Sequence, residues 1–107
     1  MRCTGVSWTI DQAWFPPHCI SPHPSPAQSH AERLTWNAPR DHGRDVRVVA
    51  WTCECSSPFY ELCQAGGQRF IRRTRNEPDK RIVDESDRWN ARQANAQWNA
   101  LLLGLLR

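Results

Sequence analysis

The pair Gly66–Gly67, set between "YELCQ" (60–64) and "QRFIRRT" (68–74), constrains the fold more than any other stretch of this chain. Two glycines in succession suit a two-residue type I′ turn, which needs positive φ at both central positions. The two arms then form a β-hairpin whose register is fixed by the turn. Ala65 faces Gln68, Cys63 faces Phe70, Leu62 faces Ile71, Glu61 faces Arg72 and Tyr60 faces Arg73. Apolar and opposite-charge cross-strand pairs of this kind are favourable. A helix N-capped by Ser57, with Pro58 in its first turn, competes for the same residues. It would carry both glycines internally, at about 1 kcal/mol each relative to alanine. The hairpin is the better reading.

The flanks extend it. "VRVVAWTCEC" (46–55) is rich in β-branched and aromatic residues and reads as a strand, with Val49, Trp51, Cys53 and Cys55 on one face. "RLTW" (33–36) reads as a short strand before the loop "NAPRDHGRD", and "KRIV" (80–83) as a last strand after the turn "NEPD". "DESDRWNARQANAQWNALLLGLLR" (84–107) is the clearest helix. Ser86 is its candidate cap, and Asp87 puts negative charge near the positive end. Ala91, Ala94, Trp98, Leu101, Leu102 and Leu105 form an apolar stripe that needs a sheet to cover. The expected fold is α+β: an antiparallel β-meander of three to four strands with a C-terminal α-helix packed on one face.

At 107 residues there is room for one small domain. The mean hydropathy of −0.71 is low for a compact fold and is better matched if part of the chain is unfolded. Residues 16–31 hold five of the eight prolines and three of the four histidines. Proline donates no backbone hydrogen bond, so residues 1–32 read as a disordered arm and residues 33–107 as the domain. Trp8, Trp14 and Phe15 form an apolar island within that arm. The start of the chain lacks the apolar core of a signal peptide, and "ALLLGLL" is too short to span a bilayer. A cytoplasmic protein with mostly reduced cysteines is expected, and five cysteines do not close a disulfide framework.

Three residue groups are candidates for chemistry. Cys53, Cys55 and Cys63 are a candidate metal set, with a fourth ligand from Cys3, Cys19 or a histidine of the arm. The spacing departs from the paired C-x₂₋₄-C signature of structural zinc, and buried cysteines also serve as small apolar residues. Catalysis is not expected: His18, His23, His30 and His42 all lie in the arm or in a loop, away from any rigid element. The basic cluster is the sharpest lead. Within residues 68–81 six basic residues face two acids. Arg69 and Arg73 share a face with Tyr60, while Arg72 lies opposite Glu61 and Arg75 follows. Arginines beside an aromatic ring suit phosphate contact and base stacking, with Trp51 as a further platform. Arginine stems covering sheet surface are the plainer explanation. Thirteen of the fourteen basic residues are arginine, a composition bias that weakens the inference.

The run "WTCECSSPFYELCQAGGQRFIRRT" followed by "RWNARQANAQWNALLLGLL", about residues 46–107, resembles short actinomycete proteins that carry no assigned activity. The resemblance implies a meander followed by a helix and adds no site residues. The order of elements is also similar to the sheet-plus-helix arm-binding domains of tyrosine recombinases, a likeness of fold alone.

These readings converge on a small non-enzymatic accessory or interaction module without a cofactor. Nucleic-acid binding through Arg69, Arg72, Arg73, Arg75 and Tyr60 is the alternative, and a zinc-stabilised binding domain is the third. The expected partner is a protein or a nucleic acid, not a membrane.

Overall fold

A computed structural model describes residues 21–40, 45–55 and 57–107. Four strands form one antiparallel sheet in the order of the sequence: β1 (Arg47–Trp51), β2 (Phe59–Ala65), β3 (Gln68–Glu77) and β4 (Lys80–Glu85). The helix α1 (Ala91–Leu102) follows and packs against the sheet. The α+β meander with a C-terminal helix is therefore the fold. Among the described residues, no helix is long and apolar enough to cross a membrane.

The hairpin forms in the expected register, from Ala65 opposite Gln68 to Tyr60 opposite Arg73, and extends to Phe59 opposite Thr74. Its turn differs in type. Only Gly66 has a positive φ, 63°, which fits a type II′ turn, where the first central residue alone needs that conformation.

Cross-strand neighbours share a face, so the register sorts the side chains. Tyr60, Leu62 and Ile71 point to one side and meet Ala94, Trp98, Leu101 and Leu106 in the main core. Cys63, Ala65 and Phe70 point to the other and form a smaller cluster with Val46 and Val48. β1 is irregular. Val48 pairs with Cys63 and Ala50 with Leu62, leaving Val49 as an unpaired bulge residue. The expected single face of Val49, Trp51, Cys53 and Cys55 is broken by that bulge and by the strand's end at Trp51.

The helix begins later than its sequence pattern indicated. Its N-cap is Asn90, whose side-chain oxygen accepts from Gln93 N at 2.8 Å. Ser86 is engaged elsewhere. Its buried hydroxyl accepts from Ile71 N at 2.8 Å and donates to Asp87 O at 2.9 Å. Ser86 therefore extends the sheet and cannot cap a helix. Of the expected stripe, Ala94, Trp98 and Leu101 are buried, whereas Ala91 and Leu105 are exposed and Leu106 is buried instead. The shift reflects the helix ending at Leu102.

That end is a Schellman motif, with Gly104 N donating to Leu101 O (3.1 Å) and Leu105 N to Ala100 O (2.9 Å) around Gly104 at φ 79°. The chain around the termini departs most from expectation. Residues 21–32, read as part of a disordered arm, are built into the fold. Ser25 N donates to Leu102 O, Gln28 N to Gly104 O, Glu32 N to Leu105 O and Leu34 N to Arg107 O, all within 2.7–3.0 Å. The non-proline residues supply the donors, and the last helical carbonyl and three carbonyls beyond the helix accept them. "RLTW" forms no strand; isolated bridges join Glu32 to Leu106 and Asn37 to Glu85 on either side of it. Residues 1–20 of the expected arm, including Trp8, Trp14 and Phe15, lie outside the described residues.

The close approach at the helix end yields a test. A Cβ on Gly104 would stand 2.3 Å from Pro26 O, in a backbone conformation that L side chains rarely adopt. Gly104→Ala is expected to lower the urea-unfolding free energy by about 2 kcal/mol or more. Gly67 has open space and no positive φ, so Gly67→Ala leaves stability unchanged or raises it by up to ~1 kcal/mol.

Candidate functional site

The arginine face is built by the register of β2, β3 and β4. Arg72 stands between Glu61 and Glu85 on one side of the sheet, and Arg73 opposite Asp84 on the other. Arg72 Nε lies 2.9 Å from Glu61 Oε1. Arg73 Nη2 lies 2.7 Å from Asp84 Oδ2, and Arg75 Nη2 reaches the same oxygen at 3.4 Å. Arg73 also stacks on Trp36, its guanidinium carbon 4.3 Å from the ring centroid, and Trp36 tilts against Tyr60 at 6.3 Å. Arg69 donates to Gln64 Oε1 (3.1 Å) and Asn95 Oδ1 (3.0 Å). Tyr60 is buried, and burial pushes its phenol up from the ordinary value, with Arg107 and Arg73 opposing. The structure thus brings the expected arginines to the expected faces. It also gives three of them carboxylate partners and encloses the aromatic ring meant for stacking.

The sulfur-bearing residues divide differently from the expected set. Beyond Trp51 the pairing continues for one residue. Thr52 N donates to Tyr60 O and Thr52 Oγ1 accepts from Tyr60 N, both at 2.9 Å. Cys53 N then turns away and donates to Pro22 O at 2.9 Å. The chain turns at Glu54–Cys55, and the C-x-C pair sits against the segment that carries His23. One ligand atom each from His23, Cys53 and Cys55 falls within 4.8 Å of the others, with His23 exposed, Cys53 buried and Cys55 between. Cys55 Sγ is 3.4 Å from His23 Nε2. That is hydrogen-bond reach, and His23 is one of the arm histidines expected as a candidate further ligand. Cys55 is not part of a disulfide. Cys53 is disulfide-bonded.

Cys63 is not in this group. It is wholly buried, with Ala65 and Phe70, on the sheet face opposite the helix. The sequence allows a histidine of the arm as a further ligand but does not single out His23, which lies among prolines that read as disorder. The available signal was the C-x-C itself, two ligands that need others from a distant segment.

A third feature is the margin of the sheet. β4 carries Lys80, Arg81, Asp84 and Glu85 and is partly covered by Asn37, the usual protection of an edge strand. β1, "RVVAW", has a single charge. Its Val49 is 37% exposed and its Trp51 51% exposed. Among the described residues no strand pairs with its outer side.

Comparison with protein-family models, with curated proteins and with solved structures finds no match to this chain.

The enclosure of Cys63 sets a pH dependence. Burial pushes its thiol from the ordinary 9.0 up to about 11, opposed by Arg72 and reinforced by Glu61. Between those values an unfolded chain releases a proton that the folded chain keeps, so stability is fully present below pH 9 and declines toward pH 11. Urea-unfolding free energies measured across that range are expected to fall. Cys63→Ala, whatever its offset at neutral pH, should make the fall shallower by up to about 2 kcal/mol.

Proposed function

We propose that the protein is a small non-enzymatic interaction module that captures an extended segment of a protein partner along the outer edge of β1. The observation that carries this reading is the edge itself. It presents backbone donors and acceptors that no described strand uses, next to two exposed large apolar side chains, Val49 and Trp51. Backbone pairing along an edge gives affinity, and pockets for alternate side chains give specificity. The bulge at Val49 adds to this by turning an extra side chain out of the ladder. Leu103 and Leu105 are also exposed at the helix end, but they offer no row of unpaired backbone groups, and scattered apolar residues are normal on a surface.

The nucleic-acid reading draws less support. Its arginines are those paired with Glu61 and Asp84 or hydrogen-bonded to Gln64 and Asn95. A phosphate would have to compete with groups already in place.

Peptides selected from a random library on the intact protein provide the test. They should bind with little dependence on salt, and Trp51→Ala should weaken them about tenfold or more, as truncation of an interface aromatic does. N-methylation of the peptide backbone should abolish binding at alternate positions only, because alternate amides of an added strand face the sheet. The reading fails if methylation shows no two-residue period and Trp51→Ala is silent. Duplex DNA binding that weakens steeply with salt and is lost in Arg73→Glu would favour the nucleic-acid alternative.

A further inference from the structure

We propose that His23, Cys53 and Cys55 hold a zinc ion once the disulfide at Cys53 is reduced. The inference does not depend on what β1 binds. It rests on two cysteine sulfurs and an imidazole converging from segments about thirty residues apart, Cys55 and His23 being separated by 32 positions. The hydrogen bond from Cys53 N to Pro22 O holds the two segments together.

The distances suit a tetrahedral ion. With Zn–S near 2.3 Å and Zn–N near 2.0 Å, a thiolate and an imidazole nitrogen on one zinc stand about 3.5 Å apart, and two thiolates about 3.8 Å. Cys55 Sγ and His23 Nε2 are already 3.4 Å apart. The group's upper limit of 4.8 Å closes by about 1.3 Å at most. Thiolate and imidazole donors together favour zinc over magnesium or calcium, which take oxygen ligands. A thiol–imidazole pair can also act as nucleophile and base, but that role leaves the second cysteine of the C-x-C unexplained, whereas a metal uses all three.

The disulfide is the metal-free alternative of the same site. A dithiol reductant closes its own disulfide and delivers two electrons and two protons to the bond at Cys53. The products are the Cys53 thiol and the thiol of its former partner. Zinc then displaces one proton from each thiol that ligates it, while His23 binds as the neutral ring. Two thiolates balance the charge of the ion. The fourth position takes water.

The experiment uses the full chain, reduced and kept free of oxygen, titrated with cobalt(II) and then with zinc, with native mass spectrometry for stoichiometry. The expected result is one metal per chain, with a thiolate-to-cobalt charge-transfer band and the strong visible bands of tetrahedral cobalt, both removed by zinc. The disulfide form should show none of this. Loss of an outer partner of a metal ligand already costs about 10–100-fold in affinity, so His23→Ala and Cys55→Ser should each cost at least that. Cys63→Ser should leave affinity unchanged. His23→Cys should restore binding with a stronger charge-transfer band, an outcome that a merely structural histidine would not give. If Cys55→Ser loses its helical circular dichroism, the exposed His23 variants decide the matter. Absence of cobalt bands in the reduced protein overturns the proposal, as does binding that ignores both ligand changes or depends on Cys63. Rapid, His23-dependent alkylation of Cys55 without metal binding would assign the pair to thiol activation instead.

Discussion

The hydrogen bonds between residues 25–34 and the end of the chain hold the rest of the molecule in place. A helix leaves its last four carbonyls without partners. Here Asn99 O accepts from Leu103 N, Ala100 O from Leu105 N, Leu101 O from Gly104 N and Leu102 O from Ser25 N. Arg107 adds its guanidinium to Leu101 O and Leu106 O, each at 2.8 Å, and to Ser25 O. The helix end is therefore completed by a segment far away in sequence. That same segment continues through Pro22 to Cys53, so the contact that finishes the helix also brings His23 to the C-x-C turn.

Local chemistry explains which parts of this were legible in the sequence. The β2–β3 register follows from a two-residue turn and a period of two, and both are properties of neighbouring residues. The α1 start is different. Ser86 is a good cap in isolation, but its hydroxyl and amide are taken by Ile71 on β3, and Asn90 caps instead. The bulge at Val49 depends on which of two cores each β1 residue joins, with Val48 in one and Ala50 in the other. The proline-rich segment was the hardest to read. Its partners are the last residues of the chain, and composition alone cannot distinguish a segment that lacks structure from one whose structure is supplied by another.

The same distinction applies to the candidate sites. The arginines were placed correctly by face, and cross-strand register also decided their fate by setting Glu61 and Asp84 beside them. Charge that looks available along a sequence is internally matched in the sheet. Cys63 was grouped with Cys53 and Cys55 by proximity in sequence, yet it belongs to a core. The β1 edge, with Trp51 exposed, runs directly into the turn that carries Cys53 and Cys55. A metal bound at that turn would stiffen the end of the strand most open to a partner.

The central claim is that residues 22–37 are structural and that their closure on the chain's end positions His23. Amide hydrogen exchange followed residue by residue tests it most directly. The account predicts that Ser25, Gln28, Glu32, Leu34 and Cys53, whose amides donate to Leu102, Gly104, Leu105, Arg107 and Pro22, exchange far more slowly than unstructured peptide and respond to denaturant together with the helix. Exchange of these amides at the rate of a free chain, with β2 and β3 protected, would contradict it.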